Sequence, residues 1–81
     1  MDRILLVDDD VELVGMLQEY LELEGFATTA VHDGEAGVAA ALPGQYAMVV
    51  LDVMMPRLNG IETLRRIRQH SSLPVLMLTA R

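Results

Sequence analysis

Two apolar runs that stop abruptly at aspartate constrain this chain more than any other feature. Ile4-Leu5-Leu6-Val7 and Met48-Val49-Val50-Leu51 each have strand length and contain no polar residue. Such runs suit strands buried on both faces of a parallel sheet better than strands with one wet face. The first runs into Asp8, Asp9 and Asp10, the second into Asp52. A carboxylate where a buried strand runs out has its backbone fixed by the sheet and its oxygens directed at the rim. Pro56, Asn59 and Gly60 then break the chain into a loop. Taken alone, either stretch is equally well a strand followed by a polar turn.

The intervening segments have helical spacing. Leu13, Val14, Leu17, Tyr20 and Leu21 form one stripe, with Glu12, Gln18, Glu19 and Glu22 on the other side. Asp10 is placed to cap this helix and Gly25 to close it. Phe26 to Ala30, with two Thr, predicts a weaker edge strand. His32-Asp33-Gly34 reads as a turn, and Glu35 to Leu42 as a short helix ended by Pro43-Gly44. Ile61, Leu64 and Ile67 define a third helix, with Glu62 and Arg66 paired on its wet face. Val75 to Leu78 is a fourth apolar strand, ending in Thr79-Ala80-Arg81.

The order β-α-β-α-β-α-β with right-handed crossovers implies an α/β fold: a parallel sheet with helices on both faces. With the second strand at the edge the sheet order is 2-1-3-4, and the winding reverses between strands 1 and 3. Ligands bind at such a switch point, beyond the carboxyl ends of the strands. Asp8, Asp9 and Asp52 therefore converge. Clustered carboxylates repel one another unless a cation joins them. An all-oxygen set suits Mg²⁺, which keeps several waters and accepts phosphate oxygens beside one or two protein carboxylates. Thr79 ends the strand beside Asp52, within reach of an oxygen bound there.

Composition removes other classes. The 81 residues fit one small domain, and 52% hydrophobic content excludes disorder. The net charge is -6 and the largest basic cluster is Arg65, Arg66, Arg68, so direct nucleic-acid contact by this segment is not expected. Cys is absent, excluding disulfides and thiolate chemistry, and no apolar run has membrane-spanning length. The expected location is cytoplasmic, with no membrane association. The six Met are assigned to core filling. His32 and His70 are placed at the surface, away from the carboxylates.

Four segments in order, ILLVDDD at 4–10, HDGE at 32–35, LDVMMPRLNG at 51–60 and PVLMLTAR at 74–81, resemble the receiver domain of two-component response regulators. Their wording is similar to the winged-helix (OmpR/PhoB-like) subfamily, and within it to Cpx-type envelope stress regulators. The resemblance implies a flavodoxin-like fold and a phosphorylation-dependent switch rather than an enzyme. It implies Asp52 as phosphoacceptor, Asp9 as a direct Mg²⁺ ligand, Asp8 as a ligand through water and Met54 as a ligand through its backbone carbonyl. Thr79 would bind a phosphoryl oxygen, and Ala80 would leave the phosphoryl group room. The implied partners are a sensor histidine kinase and, in a parent protein, a C-terminal winged-helix DNA-binding domain.

Against the family pattern, residues 1–81 read as the N-terminal portion of a receiver. The family's fourth helix, fifth strand and fifth helix are not represented, nor is the Lys that the fifth strand carries, and the chain contains no Lys. The expectation is an open edge at strand 4, covered by homo-oligomerisation or a strand-exchanged dimer. Two other readings stand beside the switch module. One is a haloacid-dehalogenase-like phosphohydrolase using Asp8-Asp9-Asp10 as D-x-D, disfavoured by Glu12 and the missing Lys. The other is a receiver-like binding module that is never phosphorylated.

Overall fold

The strands and helices alternate as β1 (Arg3–Val7), α1 (Val11–Leu23), β2 (Ala27–Val31), α2 (Gly34–Ala41), β3 (Met48–Asp52), α3 (Gly60–Arg68) and β4 (Val75–Leu78) in the computed structural model, which describes residues 2–78. All strand pairs are parallel and the sheet order is β2-β1-β3-β4, as the sequence implied. Val7 of β1 lies between Val31 of β2 and Leu51 of β3. The carboxyl ends of the two central strands are therefore level, and the residues that follow them emerge side by side.

Alternation along the strands divides the core in two. Leu5, Val7, Val49 and Leu51 point to one face, where they pack with Ala41 of α2 and Ile67 of α3. Ile4 and Leu6 point to the other, against Val14, Leu17 and Leu21 of α1. Leu5, Leu51 and Ile67 are wholly buried, and burying a side chain of that size contributes about 1.5–3 kcal/mol. These contacts hold the central strands as a rigid platform.

The caps follow the sequence. Asp10 Oδ1 accepts the Leu13 N–H at 3.1 Å, opening α1. Gly25, at φ 95°, closes it: the Gly25 amide donates to the Glu22 carbonyl and the Phe26 amide to the Leu21 carbonyl. That paired arrangement requires a left-handed residue at Gly25. Asp33 accepts the Ala36 N–H at 2.8 Å, so α2 begins at Gly34 rather than Glu35.

Several expected positions differ. β2 begins at Ala27 rather than Phe26, because Phe26 is still tied to the end of α1 and packs into the α1 core. Tyr20 is 61% exposed; the buried stripe of α1 is centred on Val14, Leu17 and Leu21, and Tyr20 lies off its axis. In α3 the buried residues are Gly60, Thr63 and Ile67, while Ile61 points outward. Met55 fills core, but Met16 and Met54 are exposed, so core filling accounts for only some of the methionines. The Glu62–Arg66 pair is present at 3.4 Å, and Glu62 also pairs with Arg65.

Candidate functional site

Each acidic residue beyond β1 has a different local task. The sheet ladder continues one bond past Val7, with the Asp8 amide donating to the Val31 carbonyl at 3.2 Å. This keeps Asp8 in the strand direction and turns its side chain inward, where the residue is buried. Asp8 Oδ1 accepts the Asp10 N–H at 2.9 Å, bending the chain into α1. Asp10 is consumed as the cap of that helix. Asp9, between them, is exposed.

Asp52 is the last residue of β3, paired in register with Leu78 of β4. Its Oδ1 accepts the Met54 N–H at 3.2 Å. The loop 53–59 then folds back over it. The Val53 amide donates to the Leu78 carbonyl at 3.0 Å and the Gly60 amide to the Val53 carbonyl at 2.9 Å. Buried Met55 anchors the loop in the core, and Asn59 caps α3 through the Glu62 amide. Arg57 sits at φ 62°, the left-handed region, where the chain reverses after Pro56.

Asp52 stands at the end of β3, as expected, and is fully buried. Gly60 packs closely against its backbone. Asp9 and Met54, beside it, are exposed.

Asp8, Asp9 and Asp52 each offer an oxygen to a cluster whose atoms all lie within 4.8 Å of one another. Two oxygens opposite each other on one Mg²⁺ at 2.0–2.1 Å lie about 4.2 Å apart, so the donor set fits that ion with small adjustment or one bridging water. Asp10 is excluded because its carboxylate faces the start of α1. This removes the D-x-D reading, which needs Asp10 beside the reacting phosphate. Met54 lies where its main chain adjoins Asp52, with its side chain turned to solvent. Thr79 and Ala80 lie outside the described residues.

His32 is nearer than its sequence position suggested. The ring is exposed, as expected, but its Nδ1 lies 3.0 Å from the Asp8 carbonyl oxygen, so it meets the backbone of one member of the acidic cluster. The register of β1 with β2 brings the two ends together; sequence spacing of 24 residues carries no sign of it.

A parallel 2-1-3-4 sheet with an acidic triad at its switch point is the layout of a phosphoacceptor module, and the chain belongs to the response regulator receiver domain family, whose model matches residues 4–81. It is 52% identical over all 81 residues to the transcriptional regulatory protein CpxR of Klebsiella pneumoniae, of which it covers 34%. The chain thus spans about a third of the length of the curated relatives it matches. Among solved structures, the response regulator TrrA of Thermotoga maritima in complex with Mg(2+)-BeF superposes with a TM-score of 0.92 at 34% identity, over 100% of this chain and 71% of that one. The same protein in complex with the histidine kinase ThkA gives a TM-score of 0.90 at 34% identity, over 99% of this chain and 70% of that one. No helix among the described residues is long and apolar enough to cross a membrane.

Proposed function

We propose that this chain is the Mg²⁺-dependent phosphoacceptor switch of a CpxR-like transcription regulator, with Asp52 receiving the phosphoryl group. The observation that carries the reading is the triad: one carboxylate at the end of β3 and two beyond β1, with oxygens within 4.8 Å of one another. An Asp52 oxygen attacks the phosphorus of a kinase phosphohistidine in line. The O–P bond forms as the P–N bond breaks, and the departing imidazole takes up a proton. The product is an acyl phosphate on Asp52. Burial of Asp52 and its hydrogen bond from Met54 fix the attacking carboxylate. Held by Asp9 and Asp52, by Asp8 through water and by the Met54 carbonyl, Mg²⁺ would neutralise the phosphoryl oxygens. Thr79 and Ala80 are assigned the phosphoryl-contacting and space-giving roles.

The role is regulatory rather than enzymatic. The kinase that TrrA binds is the model for the phosphodonor, a sensor histidine kinase, and the length and name of the CpxR relatives support a C-terminal DNA-binding domain beyond these residues. On this reading residues 1–81 are the N-terminal portion of a cytoplasmic receiver.

Metal binding separates the acidic residues. Mg²⁺ raises the melting temperature of the protein by binding the folded state. Asp9→Ala abolishes that rise and, with one crowded charge removed, melts at or above the wild type without metal. Asp10→Ala keeps the rise but lowers the metal-free stability by about 1 kcal/mol through loss of the cap. Thermal melts with and without Mg²⁺ decide this; an undiminished shift in Asp9→Ala removes Asp9 from the metal site.

β4 stands at the end of the described sheet and Leu76 is 51% exposed. An apolar edge strand is a template for pairing with another chain. A polypeptide of these 81 residues alone is expected to dimerise through β4, seen as a mass that rises with concentration in sedimentation. A concentration-independent monomer with protected β4 amides counts against it.

A further inference from the structure

We infer that His32 is a positioning residue of the metal site, acting through the Asp8 carbonyl. The inference rests on the proposed assignment of Asp8, Asp9 and Asp52 to metal binding. In the parallel ladder the Asp8 amide donates to Val31, and the next donor due to the Asp8 carbonyl is the amide of Asp33. Asp33 has left the strand to cap α2. The His32 ring reaches this carbonyl, with Nδ1 3.0 Å from the Asp8 oxygen. A carbonyl oxygen only accepts, so the ring donates and its proton sits on Nδ1.

The consequence lies in the next peptide. The Asp8 carbonyl belongs to the same planar unit as the Asp9 amide, so holding the oxygen fixes the plane from which the Asp9 side chain departs. Asp8 is held on three sides: its amide by Val31, its Oδ1 by the Asp10 amide, its carbonyl by His32. Asp9 is exposed and depends on this frame for its aim. His32 is itself exposed and adds little core packing, so its hydrogen bond can be removed with little loss of fold. The neighbouring segment is equally constrained. A Cβ at Gly34 would lie 2.6 Å from the Leu58 carbonyl, in the loop that follows Asp52. The end of the turn at Gly34 is therefore packed closely against Leu58, and the turn has little room to shift.

The test is Mn²⁺ binding to the intact protein by electron paramagnetic resonance, with Mg²⁺ competition, for His32→Ala, His32→Phe and His32→Asn. Partners that orient a metal ligand typically change affinity by 10–100-fold. Because His32 acts through a backbone oxygen, the lower end applies: about a tenfold loss for Ala and Phe. Asn places an amide donor near Nδ1 and is expected to return to within about threefold of the wild type. Thermal melts without metal should stay close to the wild type in all three. Unchanged affinity in His32→Ala, or Asn falling as far as Ala, overturns the role of His32 while Asp9→Ala still loses binding. Unchanged affinity in Asp9→Ala overturns the underlying metal assignment as well.

Discussion

Asp52→Asn is expected to leave the protein folded and entirely without a phosphoryl adduct. Incubated with acetyl phosphate or a phosphorylated kinase and Mg²⁺, the wild-type protein is expected to gain one phosphoryl group by intact-mass measurement, and the variant none. The amide is a far weaker nucleophile than the carboxylate, and no second carboxylate of the triad can take its place. Asp9 stands outside the buried position aligned by the β3–β4 register, and Asp8 is tied to the turn into α1 by the Asp10 amide. Asn keeps the shape of the side chain and an oxygen to accept the Met54 N–H, so fold and adduct separate cleanly. An adduct of unchanged yield in Asp52→Asn would falsify the phosphoacceptor assignment. Loss of the adduct together with loss of cooperative melting would instead show a structural demand on the charge.

The parts of the site legible in the sequence were those written in one-dimensional patterns. Apolar runs ending in Asp marked β1 and β3, and the 3.6 spacing separated the helices, so order and sheet topology followed from counting crossovers. Asp10 could be assigned to a cap because cap chemistry is local. What the sequence did not disclose is set by contacts between distant segments. The burial of Asp52 depends on the loop 53–59 returning through the Gly60–Val53 hydrogen bond. The place of His32 depends on the register of β1 with β2, which one-residue shifts would reverse. Tyr20, Met16 and Ile61 are apolar by type but fall beside the buried stripe, and residue type alone does not settle which edge of a stripe meets the sheet.

Gly60→Ala is expected to be among the most damaging single changes outside the acidic triad. A Cβ on Gly60 would lie 2.2 Å from the Asp52 carbonyl oxygen and 2.7 Å from the Val53 Cα, both backbone atoms. Backbone at the end of a central strand cannot yield as a flexible side chain does, so either β3 releases Asp52 or α3 moves away from the sheet. Overpacking of this kind costs about 3 kcal/mol or more. For a domain of this size that is a large share of a stability of roughly 4–12 kcal/mol, equivalent to a fall in melting temperature of at least about 12 °C. The same displacement carries the Asp52 carboxylate out of line with Asp8 and Asp9, so Mg²⁺-induced stabilisation should fall as well. Gly15→Ala supplies the contrast. Gly15 lies inside α1 with nothing within 4 Å of the added Cβ, and Ala there should raise stability by about 0.5–1 kcal/mol. Denaturant or thermal unfolding of the two variants in the intact protein measures both signs. A Gly60→Ala protein that melts with the wild type would mean that the loop after Asp52 can move without cost, and the close packing of α3 on the strand end would then have no part in holding Asp52 in place.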